Sequence, residues 1–407
     1  MRVLISGAGI AGPVLAYWLN RYGFEVTVVE REQVLPIGGG HTVDLFRTAL
    51  DISGKMNLSE RLAERASHST GLVMHREGRS GPNTIRKLAA PDPERHLQIM
   101  RSDLNEIYYA ATRDDVEYLC GDSIETIGQH GEVTFDRAPE REFDIIVGAD
   151  GVRSTVRRLV FGDDRRQTRF LGGYVAAVSL PRELGDTGDV VAHIGVDRTV
   201  TLYPGGQDAD ARALFLFRSA ETIDCAGDPA LALQTLAESF SGLHPQVDDW
   251  LACAGGPQDW YFDEMRQLRM DRWSRRRVTL VGDAGYGPGP GIGGGASLAI
   301  FGAYVLAGEL ARADGETLPA FAAYELAMRQ PVLRSEIEAR GAAGSIIPRS
   351  RAAAWAMTRG TQLWSRLPGS SRRPTVLGGK GRVVHEHLRV PDYDEPPPVD
   401  PEPPADI

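Results

Sequence analysis

Val3-Leu4-Ile5-Ser6-Gly7-Ala8-Gly9-Ile10-Ala11-Gly12 opens the chain; an apolar helical pattern runs on to Tyr22, and a second apolar run, Val26-Thr27-Val28-Val29, ends in Glu30. Both short runs are continuous rather than alternating, as parallel strands covered on both faces are. The stretch predicts strand, glycine turn, helix, strand. In such a turn Gly7 permits the bend, Gly9 lets a pyrophosphate approach the backbone, and Gly12 allows close helix–strand packing. The helix N-terminus, with the Ile10 and Ala11 amides, offers free N–H groups and a positive dipole end to that anion. Glu30 is placed to accept hydrogen bonds from a ribose diol. The motif alone leaves open which dinucleotide is bound.

Two later stretches narrow the choice. Gly148-Ala149-Asp150-Gly151-Val152-Arg153-Ser154-Thr155-Val156-Arg157 follows a buried strand, Phe143 to Val147, and opens a helix. Asp150 reads either as a ligand contact or as the cap of that helix. Gly282-Asp283 ends the strand Val278 to Val281, with Asp283 either a ligand contact or a turn residue. The glycine run from Gly287 to Gly295 then leads into a helix from Ala296, exposing backbone amides at a second helix N-terminus.

With these three stretches in this order, over roughly residues 1–330, the chain resembles the single-component FAD-dependent aromatic monooxygenases. These form the para-hydroxybenzoate hydroxylase-like family, and the likeness is to its actinobacterial and tetracycline-modifying branch. The resemblance implies FAD as cofactor, NADPH or NADH as transient co-substrate, and hydroxylation of a small aromatic or polyketide-like molecule by O2 through a flavin C(4a)-hydroperoxide. A non-redox, FAD-bound cyclase, an epoxidase and a Baeyer–Villiger oxidase are alternatives on the same fold. By the same resemblance Asp283 holds the ribityl chain, and Arg101, in Met100-Arg101-Ser102-Asp103-Leu104, braces the pyrophosphate. The Asp150 stretch serves FAD and nicotinamide, Arg31 lies on the adenine side, and Asp44 lies near the flavin. Pro290, Gly293, Gly295 and Ala296 supply backbone contacts near the ring. Arg101 and Arg31 also read as surface arginines, and Asp44 as a turn or capping residue. Where the family usually has Gly-Gln-Gly, this chain has Gly293-Gly294-Gly295.

No residue stands out as the catalytic base. His41 reads as a loop histidine, and His193, Tyr203, Phe215 and Phe217 read as strand residues of an inserted sheet. A net charge of −10 argues against nucleic acid, whose binding draws on basic groups. Cys120, Cys225 and Cys253 form no CxxC pair, so neither a disulfide framework nor a metal site is expected. The apolar start reads as strand and helix rather than a signal peptide. The apolar segment Ala296 to Leu310 is too short to cross a bilayer. A cytoplasmic protein without membrane contact follows, as monomer or homodimer.

The fold class expected is α/β, or α+β taken whole. A discontinuous Rossmann-like FAD-binding domain (1–75, 97–167 and 270–330) carries an inserted antiparallel β-sheet substrate domain (76–96 and 168–269). A helical segment (331–388) and an acidic, proline-rich tail (389–407) close the chain. With seven prolines and six acids in its last 17 residues, that tail reads as flexible.

Overall fold

The computed structural model describes residues 1–35, 42–67, 71–79, 81, 83–86, 95–162, 167–185, 188–205, 210–219, 223, 228–254, 260–289, 294–365, 385 and 388–393. Strands and helices are numbered along the chain. One sheet runs in the order β17 (Ser274–Arg275), β18 (Val278–Leu280), β11 (Ile145–Gly148), β1 (Arg2–Ser6), β2 (Glu25–Glu30), β7 (Glu117–Cys120). All neighbours are parallel except β17 and β18. Val3, Leu4, Ile5, Ile145, Ile146, Val147 and Leu280 are sealed on both sides, as their unbroken apolar runs require. Ser6 is in register with Gly148, and Gly148 with Leu280. The three glycine-bearing stretches therefore leave the sheet side by side, at the carboxyl edge where open α/β sheets bind ligands.

Helices α1 (Ala11–Arg21) and α9 (Gly295–Arg312) pack together, with Trp18 edge-on to Tyr304 at 4.8 Å. Helices α2 (Arg47–Lys55), α3 (Ser59–Glu64), α4 (Arg101–Ala110), α5 (Thr155–Phe161) and the short α8 (Asp283–Tyr286) complete this half. Two small antiparallel ribbons accompany them. One pairs β3 (Thr42–Phe46) with β6 (His96–Met100); the other orders β10 (Arg141–Glu142), β9 (Glu132–Phe135) and β8 (Ile124–Ile127).

The second sheet has the order β16 (Trp260–Leu268), β12 (Thr168–Leu180), β15 (Ala211–Phe217), β14 (Arg198–Tyr203), β13 (Val190–Ile194), β4 (Gly71–Arg76), β5 (Asn83–Arg86). Its pairs are antiparallel apart from β13 with β4. Alternation sorts its side chains. Val175, Ala177, Leu214 and Leu216 face α10 (Thr317–Ile346) and α11 (Arg351–Ser365), through Ala339, Ile346 and Ala354. Tyr174, Ala176, Phe215 and Phe217 face α6 (Pro229–Phe240) and α7 (Pro245–Ala252), through Phe240, Val247 and Trp250. Each large side chain buried this way stabilises the layer by roughly 1.5–3 kcal/mol. Among the described residues, no helix is long and apolar enough to cross a membrane.

The expected α/β class, α+β taken whole, describes this architecture. Two boundaries differ from the sequence reading. β4 starts at Gly71 and belongs to the second sheet, because its partner β13 lies far along the chain and leaves no local signal. Leu388–Tyr393 is also seated rather than loose. Tyr304 donates to the Pro391 carbonyl at 2.8 Å, Tyr393 donates to Glu309 Oε1 at 2.7 Å, and the Arg312 guanidinium lies 4.3 Å from the centre of the Tyr393 ring. Gly308 makes room for that ring, since a Cβ there would overlap it. Tyr393→Ala removes a packed aromatic, a cation–π contact and a hydrogen bond together. It should lower unfolding free energy by about 2–4 kcal/mol in urea titrations, with cofactor affinity unchanged.

Candidate functional site

The glycine turns set the site's floor. Gly7 adopts a φ of 106°, and a Cβ there would lie 2.6 Å from the Ala149 carbonyl oxygen, so the first and second stretches touch backbone to backbone. Gly12 is pressed against the Gly7 carbonyl oxygen, leaving no room for a side chain. Gly9 differs: a Cβ there would meet nothing within 4 Å. Its bare backbone faces open space, as close approach of a phosphate requires. Gly282, at φ 65°, joins the third stretch to the first, since its Cβ position lies 3.3 Å from both Ala11 and Ala299. No side chain caps α1, so the amides of its first turn remain available to an anion.

Glu30 ends β2 beside this turn, accepting from Ala8 N at 2.7 Å and Glu32 N at 3.0 Å. Arg31 follows it, exposed. Asp150 turns inward to its own helix. Its carboxylate accepts from Thr155 N at 2.8 Å, Val156 N at 3.1 Å and the Ser154 hydroxyl. Burial nevertheless holds its pKa above the usual value, those hydrogen bonds opposing. In this geometry Asp150 shapes and caps the start of α5. Arg157, fully buried, ties the second stretch to the third by donating to the Ala284 carbonyl at 2.9 Å and the Val152 carbonyl at 2.6 Å. The sequence reading quoted Arg157 but gave it no role.

Asp283 begins α8 on the groove floor. Protein crowds it closely enough that burial pushes its pKa up, against the pull of Arg101, yet its side chain stays open to solvent. Arg101, half-buried, starts α4 where β6 ends. Burial pushes the Tyr261 pKa up on β16, with Asp263 and Asp283 adding to the shift and Arg101 and Arg153 opposing it. Arg153 pairs with Asp263 at 3.0 Å.

The far end of the groove is built on the β3–β6 ribbon. Asp44 is buried, and its Oδ1 lies 2.8 Å from His96 Nε2. Ser297, in the first turn of α9, donates to the Asp44 carbonyl at 3.2 Å and accepts from Phe46 N at 3.0 Å, stitching ribbon to helix. Phe46 stacks on both His96 and His385, at 5.4 and 5.3 Å between ring centres. Burial of Tyr203 from β14 raises its pKa, and the nearby Asp44 adds to the shift. α9 has no side-chain cap, and its half-buried Gly295 and Ala296 sit in its first turn. Gly294, at φ 90°, lies against His385: a Cβ there would be 3.1 Å from Nε2. A glutamine at this position would meet both a strained backbone and that ring.

The structure thus brings the Gly7–Gly12, Ala149–Asp150 and Gly282–Asp283 stretches together at one sheet edge, sets Glu30 beside the first of them, and holds Asp44 against the first turn of α9. Pro290, Gly293, the Gly38–Gly40 cluster and His41 lie outside the described residues. His96 and His385 were missed. His96 becomes visible only once β3 and β6 are paired, and His385 is brought in from far along the chain.

A family model described as an FAD binding domain matches residues 1–318. A protein of Mycobacterium tuberculosis is 39% identical over 339 residues, covering 79% of this chain and 88% of that one. A flavin-dependent monooxygenase of an unknown prokaryotic organism is 31% identical over 404 residues, covering 96% of this chain and 99% of its own. Among solved structures, tetracycline destructase Tet(51) is similar, with a TM-score of 0.80 and 27% identity over 96% of this chain and 99% of that one.

Two tests follow from the geometry. Gly9→Val should keep the wild-type melting temperature without cofactor while weakening dinucleotide binding at least about tenfold, whereas Gly12→Val should lower the melting temperature itself. Binding titrations beside thermal melts separate the two. The second concerns His385, whose ring burial holds down to about 4, with the Gly294 backbone opposing. Below pH 6.5 the unfolded chain takes up this proton and the folded chain does not, so stability falls as pH drops from about 6.5 to about 4. The loss attributable to this ring is about 3 kcal/mol. Urea midpoints across that window should fall less steeply for His385→Gln.

Proposed function

The chain belongs to the FAD-binding-domain family and is a flavin-dependent monooxygenase, and from that premise we propose that it hydroxylates a phenolic, polyketide-like small molecule with NADPH or NADH as electron donor. The observation that supports this reading is the convergence of three remote glycine stretches at one sheet edge, with Arg101 near enough to Asp283 to act on its charge. In the proposed assignment Gly7–Gly12 and the α1 N-terminus take the pyrophosphate, and Glu30 takes the adenosine ribose. Arg101 and Asp283 take the linker between them. The uncapped N-terminus of α9, with Gly295 and Ala296, takes the ring end. FAD, when bound, supplies the oxygen-activating redox chemistry.

The remaining tasks fall to the protein's own side chains. Tyr203, buried, and Tyr261, half-buried, are proposed to help keep water from the site. His96, oriented by Asp44 at 2.8 Å, is proposed to accept a phenolic proton, which makes an aromatic ring more nucleophilic. Asp150 and Arg157 act as positioning residues that hold the second and third stretches together. The similarity to a tetracycline destructase supports a fused-ring phenolic substrate. The non-redox alternative drew on the missing glutamine at Gly294, for which the His385 ring supplies a steric reason.

A candidate phenol should stimulate oxidation of NADPH or NADH by the purified yellow protein, with a one-oxygen mass gain in the product. A flavin inert to both nicotinamides would refute the proposal. Asp283→Ala should weaken FAD binding about tenfold, or ~1.4 kcal/mol, without changing the cofactor-free melting temperature; unchanged occupancy would remove Asp283 from the site. His96→Gln should lower kcat more than KM for a phenol and leave FAD occupancy intact.

A further inference from the structure

Across the second sheet from Tyr203 and the groove, three histidines from three elements meet. His75 on β4 and His193 on β13 are register partners on adjacent parallel strands, so their side chains leave the sheet on the same side. His193 alternates with Ala192 and Ile194, which face the Tyr203 side of the sheet. His244, the N-cap of α7, closes over the pair. Ring centres are 4.6 Å apart for His75 and His193, 4.4 Å for His193 and His244, and 4.8 Å for His75 and His244. One ring nitrogen of each lies within 4.8 Å of one ring nitrogen of the other two.

The protonation pattern suits a cation. His193 is 1% exposed, and its Nε2 lies 3.1 Å from Gln246 Oε1. A carbonyl oxygen accepts, so the proton sits on Nε2 and Nδ1 carries the lone pair. That Nδ1 is buried without a hydrogen-bond partner, beside the edge of Trp250 at 5.1 Å. A buried, unsatisfied nitrogen is costly, and a phenylalanine would fill the same space without that cost.

We propose that His75, His193 and His244 bind one divalent transition-metal ion, with Zn2+ the leading candidate, and that Gln246 orients His193 from behind. Imidazole nitrogens suit Zn2+, at Zn–N distances of about 2.0–2.1 Å. Reaching them requires the rings to close by roughly 1–1.5 Å. His75 and His244 are half-buried, while His193 is buried at its register position beside His75. Coordination by His244 exchanges its bond from Gln246 N, at 3.2 Å, for the ion. The ion then staples α7 to β4 and β13, on the face of the sheet away from the cofactor groove, and its fourth position opens to solvent.

The test uses the full-length, FAD-loaded protein, stripped with a chelator and dialysed against Zn2+ alone or Co2+ alone. Expected are one Zn2+ per chain by elemental analysis and visible Co2+ absorption of the intensity that tetrahedral nitrogen ligation produces. His75→Gln and His244→Gln should each weaken binding by about a hundredfold or more, and Gln246→Leu by about ten- to a hundredfold. His130→Gln, on an exposed loop, should change nothing. Flavin absorbance should be the same in all four variants, since the site lies across the sheet from the groove. Zn2+ well below one per chain in the wild type, or equal retention by a His75→Gln/His244→Gln double variant, would overturn the proposal. Should a variant fail to fold, the wild-type stoichiometry and Co2+ spectrum still decide.

Discussion

Backbone contact between segments remote in sequence is the constraint on which this molecule rests. Gly12 can press on the Gly7 carbonyl, and Gly7 can lie against Ala149, only because neither carries a side chain. The register of β1, β11 and β18 brings those segments to one sheet edge, and Arg157 and Gly282 hold them there. Cofactor affinity and fold stability are consequently separable at some glycines and inseparable at others. Gly9 faces open space and has no packing role. Gly12 faces backbone and serves the fold.

The second sheet adds a division of labour to that floor. Its two faces carry different packing partners, α10 and α11 on one side, α6 and α7 on the other. Tyr203 lies near enough to Asp44, and Tyr261 near enough to Arg101 and Asp283, for their charges to act on each phenol. The histidine cluster belongs to the opposite face. Alternation along β13 alone separates the two environments, since neighbouring residues on a strand point to opposite sides.

Much of the first sheet was legible because its strands are unbroken apolar runs, a pattern that few other environments tolerate. Helices α6 and α7 each open with a capping residue, Asp228 or His244, followed by proline, a mark that is local in sequence. What escaped depended on pairing between distant segments. β4 has no local mark that assigns it to β13, and His96 gains its meaning only opposite Asp44. Cysteine spacing carried the reading of metal sites, whereas positions 75, 193 and 244 share no motif. Asp150 reads as cap or ligand contact, and its Oδ2 accepts from two α5 amides while the Ser154 hydroxyl donates to Oδ1.

Gly294 shows why a departure from a family pattern needs a steric explanation before a functional one. Its φ of 90° already disfavours any side chain, whatever the space around it. The His385 ring then fills the volume such a side chain would enter, and Phe46 clamps that ring by stacking. His385 is held in turn through its carbonyl by Thr48, at 3.0 Å. A residue far along the chain, His385, has thus been packed against the start of α9. A long side chain at Gly294 would have to displace His385, and with it the stacked Phe46 and the ribbon that carries Asp44.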